Sequence, residues 1–168
     1  MPIHPAAIDP EQLYGQCETK RTRRSGPGGQ HRNKVETAVL LHHRPTGVKA
    51  EAGERRSQAE NRSVAIFRLR LNLALEVRSA VDTDARPSRL WISRCSGGRI
   101  EVNPSHDDFP ALLAEALDTI AAGEADVASA AKRLGCTGSQ LVKFLKKEPR
   151  AAALVNTWRR RQGVRPLR

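Results

Sequence analysis

Between two stretches that alternate apolar and polar residues lies the run Arg23-Arg24-Ser25-Gly26-Pro27-Gly28-Gly29-Gln30. Three glycines and a proline in four consecutive positions exclude the interior of a helix or strand. Glycine loses the most freedom on ordering, and proline brings no amide hydrogen. The run is a loop, and the chain on either side must hold its two ends. Upstream, residues 17–22 alternate and read as a strand. Downstream, residues 37–43 are rich in Val and Leu and read as a second. Arg44-Pro45-Thr46-Gly47 is a turn, with proline and glycine where turn geometry favours them. Residues 48–52 alternate apolar and charged and complete a hairpin.

The rest of the chain reads as mostly helical. Residues 10–16 form a short helix capped by Asp9. Ser57-Gln58-Ala59-Glu60 fits a capping box. The helix it opens carries Val64, Phe67, Leu71, Ala74 and Leu75 at helical spacing to about residue 78. Arg62, Arg68, Arg70 and Arg78 are expected largely around the rest of its surface. Residues 79–88 read as a connector, and 89–93 and 99–103 as two short strands around Ser96-Gly97-Gly98. Asp108 is expected to cap a helix ending at Gly123. Further helices are expected over about 124–134, from Thr137 onward, and from Pro149 to 161. The fold class is α+β: a small mixed sheet with a packed helix and the Gly-rich loop, then a small helical module. The boundaries read as 1–80, 81–108 and 109–168.

Charge points to the partner. Lys and Arg number 29 against 18 acidic residues, a formal net charge of +11, with a pI near 10.6. Such an excess favours a polyanion, usually nucleic acid. It is unevenly spread. Residues 31–80 carry ten basic and five acidic groups, and 149–168 carry six arginines and no acid. Residues 81–148 carry nine basic and ten acidic groups and read as neutral. Cys17, Cys95 and Cys136 lie far apart, which fits reduced thiols in a cytosolic protein without a zinc site. His42 and His43 are adjacent, so on a strand they point to opposite faces. No apolar run approaches the roughly 18 residues of a membrane span, and residues 1–12 lack a signal pattern.

A Gly-Gly pair in a basic loop lets another molecule approach the main chain closely. The context makes this specific. The loop is followed by His31-Arg32-Asn33-Lys34, then Pro45-Thr46-Gly47, then Arg56-Ser57-Gln58 and Asn61. In this order and spacing, the segment from about 17 to 75 resembles the catalytic domain of class I peptide-chain release factors. The resemblance implies hydrolysis of the ester between nascent peptide and tRNA, in the peptidyl-transferase centre of the large ribosomal subunit. It assigns Gly28, Gly29 and Gln30 to catalysis. The Gln30 backbone N–H would stabilise charge developing in the transition state. The Gln30 side chain would position water and carry N5-methylation by a glutamine methyltransferase. No nucleophilic side chain is required, since positioning and electrostatics do the work. The same resemblance implies RNA contacts from Arg23, Arg24, Ser25, His31, Arg32, Asn33 and Lys34, and from Arg56, Ser57, Gln58 and Asn61. For the last group, a helix cap and its neighbours is an equal reading. No cofactor and no metal are implied.

Only about 16 residues precede this segment, and no Pro-x-Thr or Ser-Pro-Phe codon-reading element sits in a separate domain. This shortened layout resembles the codon-independent ribosome rescue factors. Their basic tails suggest a role for Arg159, Arg160 and Arg161 in the mRNA channel or on a ribosomal protein. The intervening module departs from that pattern. Val127, Ala130, Ala131, Leu134, Gly135, Thr137, Ser139 and Leu141 are spaced like a helix-turn-helix. Its second helix carries Lys143, Lys146 and Lys147, which suit phosphates better than bases. The expected partners are thus rRNA and peptidyl-tRNA, for a cytoplasmic, monomeric protein with no membrane contact. The rival readings are a non-catalytic ribosome- or RNA-binding factor and a DNA-binding regulator.

Overall fold

A computed structural model describes residues 3–22, 37–82 and 85–167. Asp9 opens α1 (Pro10–Gly15), its carboxylate accepting from the amides of Glu11 and Gln12. Strands β1 (Cys17–Thr22), β2 (Ala38–His43) and β3 (Lys49–Ala52) follow in sequence order as one sheet. Its pairing is antiparallel throughout, with Thr22 opposite Ala38 and Val39 opposite Ala52. Alternation on β3 turns Ala50 and Ala52 inward and leaves Lys49 and Glu51 outward. The expected split of the two histidines is present. His43 is buried, with one ring nitrogen 2.7 Å from the Thr46 hydroxyl and the other 2.9 Å from the Gln16 amide oxygen. His42 is half-exposed beside Glu18.

Helix α2 (Gln58–Glu76) lies across the inner face of this sheet and is capped by Ser57, whose hydroxyl accepts from the Glu60 amide. Its buried stripe is Ala65, Ile66, Leu69, Leu73 and Ala74. Of the five residues expected on the apolar face, only Ala74 belongs to that stripe. Val64, Leu71 and Leu75 flank it, half-buried against the core, and Phe67 is half-buried. The helix has apolar neighbours on two sides, sheet on one and α4 (Phe109–Ala122) on the other, so one-sided periodicity misplaced the stripe. The arginines are corrected for the same reason. Arg70 is buried, donating to the carbonyls of Ala6 and Asp107. Arg78 pairs at 2.8 Å with Asp118, which α4 buries.

Residues 89–93, expected as a strand, are helical: α3 (Arg89–Arg94). Ser88 caps it, and Trp91 anchors it, wholly buried, with its indole N–H 2.7 Å from the Leu134 carbonyl. The next strands are only two residues each, β4 (Cys95–Ser96) and β5 (Arg99–Ile100). Asp108 precedes α4 but does not cap it, because its carboxylate takes Arg94 instead. Helix α5 (Val127–Arg133) begins later than expected. Glu124 and Ala125 sit at φ 52° and 65°, which breaks the helix, and Asp126 supplies the cap. Gly135, at φ 70°, makes the expected turn into α6 (Gly138–Leu145), capped by Thr137. Helix α7 (Pro149–Arg161) closes the chain. One hydrophobic cluster runs from Leu13 and Leu41 through Leu69 and Leu113 to Phe144 and Val155. Each fully buried Leu or Phe in it contributes roughly 1.5–3 kcal/mol. Among the described residues, no helix is long and apolar enough to cross a membrane.

Asn61 fastens the sheet to α2. It is fully buried. Its amide nitrogen donates to the carbonyls of Thr37 at 2.8 Å and Arg55 at 3.0 Å, and its oxygen accepts from the Arg55 amide at 2.9 Å. Asn61→Ala is expected to lower stability by about 1–3 kcal/mol in urea unfolding, because three partly buried backbone groups lose their partner.

The Arg78–Asp118 pair gives a second prediction. Burial pushes the Asp118 carboxyl up to about 6, against the pull of Arg78. The folded chain therefore holds this proton more tightly than the unfolded chain, whose value is 3.8. The stabilisation is full below that value and is lost as pH rises through about 6. His4, lowered mainly by burial, acts in the opposite sense, so comparison with Asp118→Asn isolates the carboxyl. The stability of wild type relative to Asp118→Asn should fall from pH 4 to pH 7. Arg78→Ala should cost about 3–5 kcal/mol at pH 7, as expected for a buried charge stripped of its partner.

Candidate functional site

The strand pair β1–β2 defines where the Gly-rich run begins and ends. Thr22 and Ala38 are register partners, so the chain leaves and rejoins the same end of the sheet. Arg23, Arg24, Ser25, Gly28, Gly29, Gln30, His31, Arg32, Asn33 and Lys34 lie outside the described residues. In sequence, Gly29 and Gln30 are at the middle of the interval 23–36. Covalent geometry limits either residue to within about 30 Å of the strand ends, at roughly 3.3–3.6 Å per residue.

The second motif packs directly against the rejoining strand, and its four residues divide. Ser57 caps α2, and Asn61 spends its polar atoms on Thr37 and Arg55. Both serve the chain itself in this conformation. Gln58 is half-buried at the first turn of α2, and Arg56 is exposed. Arg55, which sequence reasoning passed over, is exposed beside it. Neither arginine side chain has a partner among the described residues. The neighbouring cation Arg68 is committed, pairing with Glu54, whose carboxyl is held at about 2 chiefly by the Gly53 amide and by Arg68. Arg21 on β1 is exposed in the same cross-strand row as Val39 and Ala52. Free basic side chains therefore gather at the sheet end where the loop is rooted. The signal for Arg55 was available in the sequence, as the first of two adjacent arginines before the cap.

The three C-terminal arginines divide in the same way. Arg159 is half-buried, donating to the carbonyls of Arg165 at 2.7 Å and Ala125 at 3.1 Å. Arg160 reaches only Thr157, and Arg161 is exposed. The tail after α7 folds back on it, since the Val164 amide donates to Arg159 and the Leu167 amide to Asn156.

The three thiols are poorly prepared as nucleophiles. Burial raises the thiols of Cys17 and Cys95, and pushes Cys136 up to about 11. A thiol held protonated is a weak nucleophile. All three cysteines are free. Among the described residues, no group of three His, Cys, Asp or Glu is placed to hold a metal ion.

Comparison with known proteins agrees with this layout. A family model described as "RF-1 domain" matches residues 7–97, more than half of the chain. Similar curated proteins include peptide chain release factor 1 of Streptococcus thermophilus, 36% identical over 114 residues, which is 61% of this chain and 30% of that protein. The release factor 1-like mitochondrial protein of Rattus norvegicus is 39% identical over 94 residues, 56% of this chain and 24% of the relative. The chloroplastic release factor PrfB1 of Arabidopsis thaliana is 43% identical over 90 residues, 53% and 20% respectively. The chain thus spans less than a third of the length of these relatives. The matched stretch runs from α1 through the sheet, the loop and α2 to the β4–β5 turn, and the chain therefore belongs to the RF-1 domain family.

Proposed function

We propose that this protein hydrolyses the peptidyl-tRNA ester in the peptidyl-transferase centre of the large ribosomal subunit, and that it does so without reading a stop codon. The observation that carries the first part is the sequence Gly28-Gly29-Gln30, midway along the chain between the paired strand ends Thr22 and Ala38 and inside the family-matched stretch. The catalytic group is the backbone N–H of Gln30, aimed at the oxygen on which charge develops. Gly28 and Gly29 let the main chain take the geometry that aims it, and the Gln30 side chain orients the attacking water. Gln30 is also the expected site of N5-methylation by a glutamine methyltransferase. Arg23, Arg24, Arg32 and Lys34, with Arg55 and Arg56 at the loop root, neutralise phosphates of tRNA and rRNA. Ser25, His31 and Asn33 complete the RNA-facing set. The reading places the protein in the cytoplasm, with translating ribosomes.

Independence from a codon is supported by the make-up of the chain beyond the matched stretch. Residues 109–161 form four helices packed on the same core as the sheet. We take 1–80 as the catalytic part, 81–108 as its connector and 109–168 as an accessory module carrying further ribosome contacts.

The test supplies purified protein to ribosomes holding peptidyl-tRNA, on an mRNA that ends at the P site or continues beyond it. Wild type is expected to release peptide on the truncated message, and Gly29→Ala to release it about 10²–10³-fold more slowly, as for loss of one transition-state donor. Equal rates would remove the catalytic reading, and a requirement for a stop codon would remove the rescue reading. The tail gives a separate expectation. Arg160→Gln with Arg161→Gln should weaken co-sedimentation with ribosomes and reduce the salt slope of log K by roughly one to two. Arg159→Ala should lower the melting temperature as well, because that side chain ties α7 to the α4–α5 turn.

A further inference from the structure

The stretch 81–148 reads as neutral in sequence, yet part of its surface is not. Five of its acids are paired, buried or used as caps, while Glu101, Asp107 and Glu124 are exposed. Asp108 takes Arg94, Asp118 is buried with Arg78, Glu115 accepts from Ser88, Asp126 caps α5, and Glu148 takes Arg150. Two of these partners, Arg78 and Arg150, come from outside residues 81–148, so the stretch keeps more free cations than its composition suggests. Arg99, Lys143 and Lys146 are exposed and have no acidic partner among the described residues.

Two of these cations face one groove. It has a volume of about 430 Å³ and lies between β5 with the two residues after it and α6 with the turn after it. Ile100, Val102 and Phe144 form a buried apolar floor. Arg99 stands on one wall and Gln140, Lys143 and Lys147 on the other, with Glu101 the single carboxylate. The walls are tied together. Lys147 donates through Nζ to the Val102 carbonyl, and the Thr137 amide donates to Gly98 at 3.0 Å.

We infer that this groove binds the phosphodiester backbone of ribosomal RNA and gives the protein a second anchor on the ribosome, apart from the loop. The inference rests on the ribosomal reading proposed above and deepens it. Charge complementarity selects a polyanion. Lys143 on α6 and Lys147 in the turn after it line the same side of the groove, so two ammonium groups are offered to phosphates of one strand. Base reading in DNA uses the first residues of a recognition helix. Here the positions that reach solvent in that first turn hold only Ser139 and Gln140, and the lysines lie at the far end. The module shares its core with α2, so the groove is held at a set position relative to the loop root.

The test uses the full chain with Arg99→Glu and Lys143→Glu together. Both side chains are exposed and unpaired, so the melting temperature should be kept. Arg99→Gln with Lys143→Gln is the milder pair if it is not. The probes are purified large ribosomal subunits and a generic RNA duplex of about 20 base pairs. The double variant should bind both probes at least about tenfold more weakly at ~0.1 M salt, with the slope of log K against log salt reduced by roughly one to two. Glu101→Gln should bind more tightly than wild type. The charge-matched control is Arg89→Glu with Lys132→Glu, outside the groove, which should have a smaller effect. Unchanged binding by the double variant, or an equal loss in the control, overturns the inference. So does preference for a DNA duplex of the same sequence, or loss on subunits when wild type fails to bind the RNA duplex, which would assign the groove to a ribosomal protein. Peptide release by the wild type is scored separately, so groove binding without hydrolysis would remove the catalytic proposal and leave this one standing.

Discussion

The burial of α2 on two sides is the constraint on which the rest of this structure depends. Ile66, Leu69 and Leu73 cannot be covered by a three-stranded sheet alone, and α4 supplies the second wall. This arrangement makes the sheet and the helical module one hydrophobic cluster. A three-stranded sheet with one helix has little apolar surface to bury and would be marginal by itself. The helices after residue 108 therefore add stability to the part that carries the loop, besides whatever they contact outside.

The same packing explains the polar residues found inside. Arg70 on α2 and Arg78 just after it extend toward the N-terminal segment and α4, where backbone carbonyls and Asp118 receive them. His4 belongs to this cluster, with its ring hydrogen-bonded to the Ala6 amide and the Val77 carbonyl. Asn61 performs the matching task at the other end of α2, where it holds the strand that rejoins from the loop. Residues 23–36 are thus bounded on both sides by fixed backbone. The buried amide and the strand pairing at Thr22 and Ala38 hold that backbone in place.

Much of the secondary structure was legible in the sequence because its signals are local. Asp9, Ser57 and Thr137 cap where their side chains and neighbouring residues predict, Gly135 makes its turn, and Pro149 opens the last helix. The loop expectation falls on residues 23–36, outside the described residues. Failures came where a distant partner decided. Residues 89–93 contain Leu, Trp and Ile and read as a strand, but Ser88 and the docking of Trp91 under Leu134 make them part of a helix. Asp108 has the position of a cap and is drawn away by Arg94.

By itself, the sequence determined the family motifs, their order, the α+β class and the placement of Gly28-Gly29-Gln30 between two strands. Each of these depends on residue type and spacing along one segment. Only the tertiary structure decided which charged residues remain available. Arg70, Arg78 and Arg159 are taken up by carbonyls or carboxylates far away in the chain, while Arg55, Arg56, Arg99 and Lys143 are left exposed. A side chain's charge is written in the sequence. Whether that charge faces a partner of its own chain or the solvent depends on packing between segments, which no local pattern records.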